Sequence, residues 1–305
     1  MTRYVALRLL RGAGTLWGVL TIAFFLLRLE GSPAALLLPL NATPAQVSQL
    51  NRVLGFDRPL PVQYEKFLVQ AIHGNLGNSL QQGTPAVGLV LSRMPATLEL
   101  ALSGFVFGTG LAFLFAVLVQ LTDSHRLRRL LLWIGTVRQA VPTFLFGVLM
   151  VFVFSVTLHW LPADGIGGFS HLLLPMITVG TFEFTLYVRL LDSSFSEQHS
   201  VDYTRTAYAK GQGRAGVVFR HQLPNALLPI LTVAALNLGA LLGGAVVIET
   251  VFNWPGAGLL IVQAVGARDF PVVEAGLLVG SVAFIGVNIV VDLLYTLVDP
   301  RVRLR

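Results

Sequence analysis

Apolar residues in this chain come in long blocks, not in the alternating or every-third stripes of a soluble fold. Six blocks stand out, at about 9–29, 97–121, 131–158, 172–192, 227–251 and 273–297. About 20 consecutive apolar residues make a helix that crosses the hydrocarbon of a bilayer, so the pattern predicts an all-α membrane protein with six spans. Pro142 and Pro175 fall inside two of the blocks. Neighbouring helices re-satisfy the backbone groups that such prolines free. The stretch at 30–95 is different, only mildly apolar and rich in turn residues. Thr43 followed by Pro44 reads as a cap and first residue of a short helix over 44–50. Pro61 to His73 reads as a second amphipathic helix, and Asn75-Leu76-Gly77-Asn78-Ser79 as a turn. Leu259 to Val262 is apolar but too short to span, and lies between Pro255-Gly256 and Ala267-Arg268-Asp269-Phe270-Pro271. It reads as a re-entrant or surface helix near the outer mouth.

Composition agrees with the membrane reading. The 305 residues are 54% hydrophobic and 12% charged, where a soluble domain carries about twice that charge. A net charge of +6 raises the possibility of a nucleic-acid partner, but the basic residues form no patch and that partner is excluded. They sit between the apolar blocks and orient them instead. Arg3, Arg8 and Arg11 precede the first block. Arg126, Arg128 and Arg129 lie between the second and third, and Arg205, Lys210, Arg214 and Arg220 between the fourth and fifth. Arg301, Arg303 and Arg305 follow the sixth. The two short loops opposite hold Arg268 alone. Both termini and the loop at 193–226 are therefore expected in the cytoplasm, with 31–96 outside. The first block lacks a small-residue cleavage site and reads as an uncleaved span. The absence of cysteine excludes disulfides, zinc–thiolate sites and cysteine nucleophiles.

Little catalytic chemistry is visible. Neither lysine, Lys66 nor Lys210, follows a glycine, so the chain has no Gly-x-x-x-x-Gly-Lys phosphate loop and is not expected to hydrolyse ATP. The Gly-x-Gly patterns at 211–213 and 256–258 do not open a Rossmann helix after a strand. The six histidines form no i,i+4 pair and no ligand cluster, so no metal site is expected. No Gly-x-Ser-x-Gly elbow occurs. Ionisable groups at membrane depth are functional candidates because they are expensive there. They are Arg138, Glu183, Arg189, Glu249 and Asp292, with Asn237 and Asn288 as uncharged company. Glu183, Glu249 and Asn237 are read either as the lining of a translocation path or as polar contacts, between helices or with a second copy of such a membrane subunit. Asp292 is read as such a contact, and Arg189 and Asp192 as residues that snorkel to the cytoplasmic face.

The most informative segment is 202–230. A charged, small-residue helix from Asp202 to Lys210 runs into Gly211 and Gly213, then a basic turn, then Leu223-Pro224 and an apolar block. A short rigid helix between two spans is a knob that a soluble partner can grip. The segment resembles the cytoplasmic coupling loop of permease subunits from binding-protein-dependent ATP-binding-cassette importers. That motif reads Glu-Ala-Ala, three residues, Gly, nine residues, Ile, one residue, Leu-Pro. Here Arg205-Thr206-Ala207 stands in the triplet, Gly211 falls at the right spacing, His221 replaces the Ile, and Leu223-Pro224 closes it. Tyr203, Arg205-Thr206-Ala207 and Ala209-Lys210-Gly211 look like the peptide and nickel branch. So do Leu54-Gly55-Phe56-Asp57-Arg58-Pro59-Leu60, Gly74-Asn75-Leu76-Gly77 and 249–271. The resemblance covers nearly the whole chain.

The resemblance implies the six-helix type I importer permease fold, with both termini inside. It divides the chain into a tail and first span at 1–30, an external segment at 31–96 and a five-helix core at 97–305. It implies half of a translocation path for a small solute, a dipeptide, oligopeptide, nickel ion or metal chelate, in a bacterial inner membrane. The implied partners are a second homologous permease forming a heterodimer, two cytoplasmic ATPases that carry the ATP and Mg, and an external solute-binding protein. Tyr203, Arg205, Thr206, Ala207, Ala209, Lys210, Gly211, Leu223 and Pro224 would engage the ATPases. Ala207 and Gly211, four residues apart, are expected to share the docking face. Leu158-His159-Trp160-Leu161-Pro162 with Gly165, Gly167 and Gly168 leans toward the metal-chelate members. A secondary transporter or channel without ATPases, and a membrane scaffold, are the competing classes. No internal repeat of the kind secondary transporters show is visible.

Overall fold

The computed structural model describes residues 2–298 other than Glu30, Leu40 and Ile166. Side chains are described within that range except at 2–7, 9, 35, 36, 228, 232, 235, 242, 244 and 291–298. The side chain of Asp292, and Arg301, Arg303 and Arg305, therefore lie outside the described residues. Among the described residues the chain is helical, with a single strand-like bridge between Asn78 and Pro85. It forms two compact units, 1–97 with 255–305, and 98–254. The last fifty residues, expected within a core at 97–305, thus group with the N-terminal part.

The first unit holds α1 (Thr2–Leu29), α2 (Ala34–Leu37), α3 (Pro44–Leu54) and α4 (Leu60–Ile72). It also holds the start of α5 (Ala86–Thr122), then α12 (Ala257–Gly266) and α13 (Phe270–Val298). Helix α3 begins as its sequence predicts. Thr43 accepts from the Gln46 amide, and the Gln46 side chain accepts from the Thr43 amide at 2.8 Å, a reciprocal capping box. Gly55, left-handed at φ 78°, stops it. Helix α5 starts at Ala86, well before the block at 97, so the end of the stretch read as an external segment is already helix. The core of this unit is Phe24, Phe67, Leu76, Val90, Leu260 and Phe270 with smaller neighbours. Two carboxylates that the block pattern does not single out tie it together. Glu274 at the start of α13 pairs with Arg28 at the end of α1, both largely buried, and the Arg28 guanidinium lies 3.6 Å from the centre of the Phe24 ring. Asp269, before α13, is buried and accepts from the Ser79 hydroxyl at 2.5 Å, the Leu80 amide at 3.0 Å and the Gln81 amide at 3.3 Å.

The second unit holds the rest of α5, α6 (His125–Ala140), α7 (Thr143–Met150) with a π-helical turn at Val151–Thr157, and α8 (Phe169–Ser200). The short α9 (Asp202–Ala209) and α10 (Arg214–Val217) follow, then a second π turn (Val218–Gln222) and α11 (Leu223–Val251). Leu10–Leu29, Ala86–Thr122, Phe169–Ser200 and Phe270–Val290 are each long and apolar enough to cross a bilayer. Helix α11 occupies the block predicted as the fifth span. The block predicted as one span at 131–158 is instead two helices, α6 and α7, bent by 99°. Pro142 is the cause. It disfavours helical backbone in the residue before it, and Val141 is extended at φ −95°, ψ 121°. Buried Arg138 fastens this bend, donating to the Val141 carbonyl at 3.1 Å, the Thr178 carbonyl at 3.1 Å and the Thr181 hydroxyl at 2.9 Å.

Helices α5 and α8 touch through glycine. A Cβ on Gly104 would stand 2.6 Å from Val179, one on Gly108 would run into the Gly180 carbonyl, and one on Gly180 would stand 2.6 Å from Phe107. Gly104 and Gly108 are the small-xxx-small spacing that lets membrane helices approach backbone to backbone.

Candidate coupling surface and transmembrane cavity

The loop that follows α8 is built on the end of that helix. Val201 is extended (φ −79°, ψ 144°), which breaks the helix and lets α9 start in a new direction. The Thr204 hydroxyl donates to the Gln198 carbonyl at 2.8 Å, and the Tyr203 hydroxyl donates to the Gln198 side chain, so α9 is strapped to the helix it leaves. Helix α9 stops as its glycine predicts. Gly211 has φ +76°, its amide bonds the Tyr208 carbonyl at 2.9 Å, and the Gln212 amide bonds the Ala207 carbonyl at 3.2 Å. That pair of bonds is a Schellman stop, and the left-handed position is one a side chain resists.

The structure divides the candidate docking residues in two. Arg205, Thr206, Ala209, Lys210, Gly211 and Pro224 are exposed, Tyr203 and Leu223 half-buried. Ala207 is 3% exposed and, with Thr204, turns back onto its own chain. The expectation that Ala207 and Gly211 present one docking face is therefore corrected. Ala207 is small because its own chain covers it, and the free face is Arg205, Thr206, Ala209 and Lys210. Asp202 and Arg205 stand 4.0 Å apart and almost fully exposed, a pair of little energetic weight.

Arg214 and Gln222 bind this loop to the rest of the second unit, and a His221 contact braces it internally. Arg214, first residue of α10, pairs with Asp123 at 2.7 Å and donates to the Gln120 carbonyl. That hydrogen bond and the guanidinium charge hold the Asp123 carboxyl below its ordinary range. His221 meets Gln212 at 2.9 Å, and Gln222 meets His199 at 3.2 Å. Nearby, Arg128 grips Asp192 with two bonds of 2.6 and 2.9 Å, and Arg189 donates to Gln139 and Thr136. Arg189 and Asp192 are thus partnered within the protein.

The second candidate site is a cavity of about 360 Å³ inside the second unit, between α5, α7, α8 and α11. Its wall is apolar, including Leu100, Phe144, Val179, Phe182, Leu241 and Val247, and is broken by Thr143, Glu183 and Asn237. Glu183 is fully buried. One of its oxygens accepts from the Asn237 amide, which also donates to the Tyr187 hydroxyl at 3.3 Å. The other oxygen has no hydrogen-bond partner. Of the three path candidates, the structure brings Glu183 and Asn237 together at this wall. Glu249 is fully buried as well, but it is not part of the cavity lining. The Gly108–Gly180 contact sits beside this carboxylate, since a Cβ on Gly108 would come within 2.6 Å of the Glu183 Cβ. The four-residue spacing of Gly104 and Gly108 is the feature of the sequence that marks this approach.

Two family models match the chain end to end. The model described as "Binding-protein-dependent transport system inner membrane component" matches residues 104–304, and its N-terminal companion matches 1–101. The glutathione transport system permease protein GsiC of Escherichia coli is 36% identical over 304 residues, covering 99% of both chains. GsiC of Salmonella typhimurium is similar to the same extent. Among solved structures, the MetNI methionine ABC transporter in an inward-facing form matches with a TM-score of 0.55 at 19% identity, over 69% of this chain and 96% of that one. An amino acid ABC transporter matches with a TM-score of 0.53 at 13% identity, over 70% and 94%. These two show a shared fold.

Proposed function

The chain belongs to the family of inner membrane components of binding-protein-dependent transport systems, and on that premise we propose that it carries a small peptide across the membrane as half of a heterodimeric path. Membership makes it a multi-pass permease subunit of an ATP-binding-cassette importer, working with ATPases and a solute-binding protein. An ATPase-independent transporter or channel is not favoured by that membership. The observation that carries the peptide reading is the 36% identity, over 99% of both chains, to permeases named for glutathione, itself a small peptide. The metal-chelate reading of 158–168 has no comparable support. The exposed face of α9 is the docking surface for a cytoplasmic ATPase, and a second, homologous permease presents the equivalent knob to the other ATPase. ATP is bound with Mg and hydrolysed there, and this chain only receives the motion. Closure of the ATPases biases the permease between two arrangements, which is how such a partner acts on a distant cavity.

The test is reconstitution of the permease with its partner permease and ATPases in liposomes. ATP-dependent uptake of peptide that requires the external protein is the expected result. Peptide uptake that persists without ATP or without that protein would overturn the reading.

A further inference from the structure

We propose that Glu183 selects solutes carrying a primary ammonium group, its unpartnered oxygen receiving that group as the solute passes. The inference rests on the peptide reading above and adds to it a recognition element. Glu183 is fully buried at the wall of the cavity, with one oxygen bonded by Asn237 and the other without a partner. A buried carboxylate oxygen left unpaired carries the full desolvation penalty. Such a group is retained at membrane depth where it meets a donor that comes and goes.

The surroundings decide what that donor is. The lining residues near it are almost all apolar, so an anionic group of a solute finds no compensating donor there and meets the carboxylate. A divalent cation is poorly served too, because among the described residues no group of three His, Asp or Glu side chains could hold one. A single ammonium is well served. It gives Glu183 the missing hydrogen bond as a charge-assisted one, and the same cavity is lined by Phe144 and Phe182, aromatic residues of the kind that attracts cations. A volume of about 360 Å³ is at the small end of ligand sites and suits a short peptide's amino terminus rather than a bulky chelate. Asn237, whose amide also donates to the Tyr187 hydroxyl, holds the other oxygen of the carboxylate, so its orientation is fixed before the solute arrives.

The experiment uses the whole transporter in liposomes with its external protein. The probes are trialanine and propionyl-alanyl-alanine, the same peptide with the amino group replaced by hydrogen, each first shown by titration to bind the external protein. Glu183→Gln keeps size and the contact with Asn237. It should lower trialanine uptake about tenfold, the worth of one charge-assisted bond, and leave uptake of the propionyl peptide unchanged or higher. Glu183→Asp should restore part of the preference. Equal losses for both peptides, with ATPase co-purification falling alongside, would make Glu183 a packing residue and overturn the inference. So would unchanged uptake of both. If the unaltered transporter takes up neither peptide, the peptide reading itself fails, an outcome distinct from the other two.

Discussion

Arg214 reaches from the segment after α9 to Asp123, 2.7 Å away, in the turn that ends α5. Asp123 itself is held in a left-handed backbone at φ 54°, and Arg214 also takes the Gln120 carbonyl of the last turn of α5. The knob and α5 are thereby joined, and α5 is the helix whose Gly104 and Gly108 touch α8 beside Glu183. Contacts thus link the segment after α9 to α5, and α5 to the wall of the cavity.

Breaking that link should separate hydrolysis from transport. Arg214→Gln is expected to leave ATPase co-purification and hydrolysis near normal while uptake falls severalfold. The double exchange Arg214→Asp with Asp123→Arg should regain part of the uptake. Uptake and hydrolysis falling together in Arg214→Gln would show that the residue serves assembly instead.

The same pair sets a pH dependence. Folding lowers the Asp123 carboxyl, with the Arg214 hydrogen bond and charge as the leading causes. A lowered carboxyl stabilises the folded loop above the ordinary aspartate range, and the contribution fades as pH falls through the lowered value. Protease nicking of the loop at 202–222 in inside-out vesicles should therefore be flat from neutral pH down to the ordinary aspartate range and rise only below it. In Asp123→Asn the rise should vanish.

On the knob, the exposed and buried positions should behave differently. Arg205→Glu alters the free face and is expected to reduce ATPase co-purification with the permease still present in the membrane. Ala207→Glu forces a charge into a covered position and should lower the amount or thermal stability of the permease itself. Gly211→Ala places a side chain at φ +76° and should cost about 1 kcal/mol of local stability. Identical behaviour of Arg205→Glu and Ala207→Glu in both assays would refute the division of the helix into two faces.

At the helix crossing, Gly108→Ala should destabilise the purified permease by about 1–3 kcal/mol, since the added methyl meets the Gly180 backbone and cannot be accommodated without a shift. Gly110→Ala is the control, because nothing lies within 4 Å of a Cβ there. Equal melting temperatures for the two variants would argue against the close approach of α5 and α8.

Orientation is checked by labelling. A cysteine at Gln81 should react with an impermeant reagent added outside intact cells, and one at Lys210 only after the cytoplasmic face is opened. Labelling at 210 from outside would reverse the topology that the arginine distribution implies.

Much of this is legible in the residues, for reasons that differ from place to place. Block length announces a span directly, and Thr43-Pro44 and Gly211 carry their stereochemistry with them, so the start of α3 and the stop of α9 can be read locally. The bend at Pro142 is visible only as a proline inside a block. Its size depends on how Arg138 ties Val141 to α8, a contact forty residues away in sequence. The inward turn of Ala207 is hidden because an eight-residue helix of small and polar residues has no apolar stripe to point at its neighbour. The pairing of Glu183 with Asn237 spans two blocks, and block pattern alone says nothing about which faces meet. Arg28 and Glu274 are concealed for the same reason, each looking like an interfacial charge at the end of its own span.

The external stretch from 31 to 78 begins just after Arg28, clasped to Glu274, and ends at Ser79, clasped to Asp269. Its two roots are therefore pinned to residues that lie close together in sequence, at the turn from α12 into α13. A loop with fixed roots can lengthen at small entropic expense, about 0.6 kcal/mol for each doubling. Deleting the whole stretch is another matter, since Phe67 and Leu76 within it belong to the core of the first unit. The two carboxylates therefore hold the ends of a built-in part of that unit, where its apolar residues can pack.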